Sequence, residues 1–212
     1  MSKIPEELSQ VVSNAEASID AHGELTAETR LVVHEVMEKL LSQIHANAGH
    51  YTRAKLAIGC ASSSLFLLDA HPNEKQKAGS VLQSAIDTLS GRYEVDTLEA
   101  ENEILYADCV NMISDSKITA HVIYASFACN AAANTVLYDS DFESLGVSEK
   151  IAAPEDWDAS FYSSIAHCGA ATWEEKGDNN KRKKFWVWYL NKAIPYAWDT
   201  GIAIEDWPAI NW

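Results

Sequence analysis

Apolar residues recur at helical spacing along nearly the whole chain and alternate almost nowhere, which predicts an all-α protein. The first stripe, Leu8, Val12, Ala15 and Ile19, follows Pro5 at a first-turn position and stops near Gly23. Thr26 is placed to cap a second helix with Val32, Val33, Val36, Leu40 and Ile44 on its inner side, ending near Gly49. A third runs from about Tyr51 to Asp69, where Pro72 closes it. Asn73 then caps a fourth, with Val81, Leu82, Ala85, Ile86 and Leu89 as its stripe and Gly91 as its stop.

Asp96 is the expected cap of a fifth helix reaching about Ser114, and Lys117 to Tyr138 reads as a sixth with Ala120, Ile123, Tyr124, Phe127, Ala128 and Ala131 inward. The longest break in periodicity is DSDFESLGVSEK, the candidate exposed connection. Pro154 and Asp156 begin a seventh helix, and Gly177, Asp178, Asn179 and Asn180 form the junction to an eighth. There is no repeat of solenoid length and no low-complexity linker. The expectation is a single domain over residues 1–212, a bundle of about seven to eight helices, with an N-terminal helix in 1–22 and a tail at 199–212.

The stretch KRKKFWVWYLNKAIPYAW sets four consecutive cations against a run of aromatics. On a helix, Phe185, Trp188 and Tyr189 share one face and Trp186, Leu190 and Ala193 the next, so the segment is apolar around most of its circumference and belongs in the core. The four cations stand where the helix dipole disfavours them, which predicts exposed side chains paired with acidic neighbours. Pro195 should end or kink the helix.

Charge removes the other reading of that stretch, an aromatic and basic platform for nucleic acid. The 212 residues carry 16 Lys and Arg against 31 Asp and Glu, a formal net charge of -15, so most of the surface repels phosphate backbones. The negative charge is concentrated. Glu94, Asp96, Glu99, Glu101, Glu103 and Asp108 fall in one stretch without Lys or Arg, and residues 139–158 carry seven acids against Lys150. Such runs are either a solvated surface that keeps the chain soluble or a docking face for a basic partner. On the second reading the contact residues are Glu94, Glu99, Glu101, Glu103, Asp108, Asp139, Asp141 and Glu143.

The opening MSKIPEELSQ lacks a basic start followed by an apolar run, so no secretory signal is expected. The longest uncharged apolar run, LAIGCASSSLFLL, has 13 positions against the roughly 20 that span a bilayer. These features predict a soluble cytoplasmic protein without a membrane partner. Cys60, Cys109, Cys129 and Cys168 are far apart, each in a helical stretch, and read as reduced packing residues.

Catalytic signatures are not found. No histidine stands three residues after a glutamate, the pair used by helical di-iron proteins. His34 and Glu35 begin a zinc-protease motif, but Glu38 occupies the position of its second histidine, and His45 and His50 point to different faces. GCASS at 59–63 is not a nucleophile elbow, and no Gly-rich phosphate loop occurs. No metal, no cofactor and no enzymatic activity are expected.

The segments RLVVHEVMEKLLSQI, AKLAIGCASSSLFLLDAHP, AHVIYASFACNAAANTVL and especially KKFWVWYLNKAIPYAW resemble an all-α immunity-protein family of bacterial polymorphic toxin systems, in order over most of the chain. The resemblance implies a protein that neutralises a cognate toxin by binding it, without chemistry. An acidic helical protein suits a basic toxin, a nuclease being one such partner, whose active surface it would cover in place of nucleic acid. Two alternatives stay open: an acidic helical adaptor for a different basic partner, and a bundle enclosing a small ligand with Trp157, Trp173, Trp186 and Trp188 as walls.

Overall fold

The computed structural model describes residues 4–139, 142, 146–174, 176–199, 204 and 207–210, and all regular structure among them is helical. Helices α1 (Glu6–Ala17), α2 (Ala27–Leu41), α3 (Ala48–Ser64), α4 (Pro72–Leu89), α5 (Val95–Ile113) and α6 (Ala120–Tyr138) follow one another, with a 3-10 turn, Leu65–Leu68, after α3. Two further 3-10 turns, Pro154–Asp156 and Thr172–Glu174, flank α7 (Ala159–Cys168). Helix α8 (Asn179–Trp188), a π turn (Tyr189–Ala193) and α9 (Ile194–Trp198) then run without interruption.

α6 lies at the centre. Every residue from Ala125 to Ala133 is buried, as expected of a helix that is apolar on all sides. Its alanines let α3, α4, α5 and α7 approach closely, because the side chains at the contact set the interaxial distance. The aromatic C-terminal helix is core as well: Trp186 is 0% and Tyr189 1% exposed. One apolar cluster joins residues from each of the nine α-helices among the described residues. The tail folds back over α3, where the Trp207 ring lies against Gly59 so closely that a Cβ there would sit 2.5 Å from it.

Several local expectations are corrected. The inner face of α2 carries Ala27, Arg30, Val33, His34, Met37 and Leu41, while Val32 is 48% exposed and Ile44, beyond the helix end, 72%. The face is rotated because Arg30 is buried against distant carboxylates. Gly49, expected to end α2, lies in the first turn of α3. Pro72 opens α4 rather than closing α3, His71 is the N-cap, and Asn73 stands in the first turn. Glu94, not Asp96, is the N-cap residue of α5, and α6 begins at Ala120 rather than Lys117. The seventh helix begins after Asp158, whose carboxylate accepts from the Phe161 amide at 2.7 Å.

The last helix does not end at Pro195. The π turn just before it widens the backbone ladder where the proline ring offers no N–H, and the chain continues as helix to Trp198. The cation run is not uniformly exposed either. Arg182 is 1% exposed and donates to the carbonyls of Ala170 (2.6 Å) and His22 (3.0 Å) and to Asn179 Oδ1 (2.9 Å). It clamps the α1–α2 loop to the α7–α8 junction, whereas Lys181, Lys183 and Lys184 are exposed.

Candidate functional site

α5 buries Leu98, Asn102, Leu105 and Cys109 against its neighbours and contains no Lys or Arg. Beside that buried side it carries Val95, Glu99, Glu103, Tyr106, Val110 and Ile113, at separations of three and four that stack them into one stripe, and Glu99, Glu103 and Tyr106 of this stripe border α6. The apolar members are exposed, Val95 by 53% and Ile113 by 62%. The stripe thus combines two acids, Glu99 and Glu103, with large apolar side chains that are exposed.

Between this stripe and α6 lies a groove of about 270 Å³ lined by Glu99, Asn102, Glu103, Tyr106, Asn134 and Tyr138, among others. Its floor is an amide network. Asn102 Nδ2 donates to Asn134 Oδ1 at 2.7 Å, and Asn130 Nδ2 donates to Asn102 Oδ1 at 2.8 Å. Asn102 and Asn130 are buried, and a satisfied buried network of this kind fixes how two helices sit. On one wall the Tyr138 hydroxyl donates to Glu99. The carboxylate beside it pushes the Tyr138 phenol up to about 12. On the other wall the Tyr106 ring meets Phe127 edge-on at 6.0 Å, and Phe127 stacks on Tyr162 at 5.1 Å.

Of the residues singled out from sequence, Glu99 and Glu103 line this groove. Glu94 is exposed at the start of α5. Glu101 and Asp108 lie toward α4, where Glu101 accepts from the Tyr93 hydroxyl at 2.7 Å and Asp108 pairs with Lys77 at 2.7 Å. Asp139, one residue past Tyr138 in a left-handed conformation, turns toward α3 and pairs with Arg53. Asp141 and Glu143 lie outside the described residues. Sequence reasoning missed Tyr106, Val110, Ile113 and Tyr138. A helical wheel of α5 carries the signal for the first three, since they continue the Glu99 and Glu103 side.

The second acidic run is not a continuous outward patch. Glu149 and Asp158 both pair with Arg30, whose guanidinium sits 5.0 Å over the Trp186 ring. Burial works against ionisation of Asp158, but Arg30, Ser160 and the Phe161 amide hold its carboxyl below the usual range. Two buried arginines on α2 and α3 thus draw three acids of that run inward. Glu24 nearby is pushed up to about 7 by burial, partly offset by Arg30 and Arg182.

Other polar groups in the core read as packing. Ser63 Oγ lies 3.2 Å from His167 Nε2, but the hydroxyl donates to the Cys60 carbonyl at 2.7 Å, and burial pushes His167 down to about 3, a poor base at neutral pH. The interior cavity beside His34, Asp158, Ser160 and Tyr189 has a volume of about 30 Å³, large enough only for solvent. Trp186 and Trp188 are buried and Trp157 packs against Phe161 and Trp173, while Trp173 borders a surface groove. Among the described residues no group of three or more His, Cys, Asp or Glu is arranged to hold a metal ion, and no helix is long and apolar enough to cross a membrane.

A comparison with curated proteins found no match. The model of the family described as Immunity protein Imm5 matches residues 12–196, a span that runs from α1 through the start of α9 and includes the whole groove. With that share of the chain covered, the protein belongs to the Imm5 family of immunity proteins.

Proposed function

We propose that the chain neutralises a cognate toxin by stoichiometric binding, without catalysis, and that the toxin docks on the α5–α6 face. The observation that carries this reading is the stripe from Val95 to Ile113, in which two acids that pair with no cation among the described residues, Glu99 and Glu103, stand between uncovered apolar side chains on a helix free of cations. An immunity protein has a toxin as its partner, and a face of this composition suits a basic one. Complementary potential would speed encounter, and the apolar members would slow dissociation. A nuclease fits as such a partner, because its own nucleic-acid surface is basic and an acidic cover competes for it.

Growth rescue tests this. The product of the adjacent gene, as the candidate toxin, is expressed alone, with the native chain, and with a Glu99→Gln, Glu103→Gln variant. Rescue and a co-purifying complex with the native chain, and loss of both with the variant, are expected. Rescue without a complex would point to a catalytic or indirect mechanism and would sink the binding reading.

A further inference from the structure

We infer that the α5–α6 groove is an anchor pocket for one arginine side chain of the protein partner. This rests on the reading of the chain as a toxin binder and specifies what the toxin inserts. The groove, at about 270 Å³, lies just under the roughly 300–1,000 Å³ of small-molecule sites and suits a single long side chain. Two carboxylates, Glu99 and Glu103, stand one helical turn apart on its rim, and two phenol rings, Tyr106 and Tyr138, flank them.

That combination selects a guanidinium. Its planar fork donates to several acceptors at once and stacks on aromatic faces, which a compact, strongly hydrated ammonium does less well. Glu99 is already oriented by the Tyr138 hydroxyl, and a carboxylate has about four acceptor positions, so capacity for an incoming donor remains. The amide floor is satisfied internally, so the pocket does not collapse when empty. An anionic group is excluded because α5 offers no cation. A second copy of this chain is excluded as occupant, since it would set one acidic α5 against another in a protein of net charge -15.

The test is heteronuclear NMR of the full chain titrated with N-acetyl-argininamide, using the lysine analogue and the neutral citrulline analogue as comparators. Saturable shifts at Glu99, Glu103, Tyr106 and Tyr138 are expected with the arginine probe, weaker ones with lysine and none with citrulline. Glu103→Gln or Tyr106→Ala should weaken apparent binding about three- to tenfold. Glu103 is exposed, so its variant folds normally. Absence of saturable shifts in the groove, or equal shifts with citrulline, overturns the inference. If the native chain still rescues growth, the binding function stands and only the anchor is lost; if rescue fails as well, both fall.

Discussion

Tyr138, the last residue of α6, donates its hydroxyl to Glu99 on α5 and so ties the two walls of the groove together at its mouth. Tyr138 is 55% exposed, so the contact contributes little to folding and positions a carboxylate instead. Tyr138→Phe should leave the thermal midpoint within experimental error and weaken toxin binding about two- to fivefold, an effect of the size of one exposed hydrogen bond. A thermal scan of the variant gives the midpoint, and calorimetric titration with the toxin gives the affinity. A lowered midpoint with native affinity would make this contact structural.

Arg182 and its neighbours in the cation run should separate sharply. Arg182 is buried with its donors on loop carbonyls, so Arg182→Ala, which also removes one of the two cations near buried Glu24, should cost about 3–5 kcal/mol. Lys183→Ala, at an exposed position, should change stability by less than about 0.5 kcal/mol. Urea unfolding of the two variants checks this, and equal effects would refute the clamp.

Much of this architecture is legible in the sequence because local signals agree with one another. Thr26 caps α2 through the Thr29 amide, Gly91 turns the chain at φ +71° after α4, and the spacing of Trp186, Tyr189 and Leu190 puts them in the core. What is not legible depends on partners distant in sequence. Arg30 faces inward only because Glu149 and Asp158, more than a hundred residues away, meet it there. The same pairing removes those acids from the surface, and Arg53 does likewise for Asp139. At the candidate site, Glu99 and Glu103 stand out by charge alone, whereas Tyr138 joins them only through the packing of α6 on α5.

Trp186 is fully buried and lies against Arg30, Phe185 and Tyr189. Trp186→Ala should cost about 3–5 kcal/mol while leaving the far-ultraviolet spectrum helical at low temperature. A loss under about 1 kcal/mol would mean that the ring is not core.

Acid should destabilise the fold through two histidines. Burial pushes His34 down to about 4 and His167 to about 3, from 6.5. The unfolded chain therefore binds protons that the folded chain refuses, so stability is full above pH 6.5 and falls as pH drops toward 4. Glu24, raised to about 7 from 4.5 by burial, acts in the opposite sense: the folded chain holds its proton, and stability falls as pH rises through that window. With two groups against one, the net slope between pH 4.5 and 6.5 should be a loss on acidification. Urea midpoints measured across that range should show it, and His167→Gln should flatten the curve. A flat native profile would contradict the assignment.

The association rate with the purified toxin, followed by stopped flow at increasing salt, tests most directly whether the α5–α6 face receives the toxin. Exposed charges act on encounter and are screened beyond about 8–10 Å at physiological ionic strength, so the native rate should fall steeply with salt. Glu99→Gln with Glu103→Gln should lower the low-salt rate and flatten its salt dependence. Glu101→Gln, on the α4 side, should do so much less. Identical rates and identical salt slopes for the native chain and the groove variant would place the toxin on another surface.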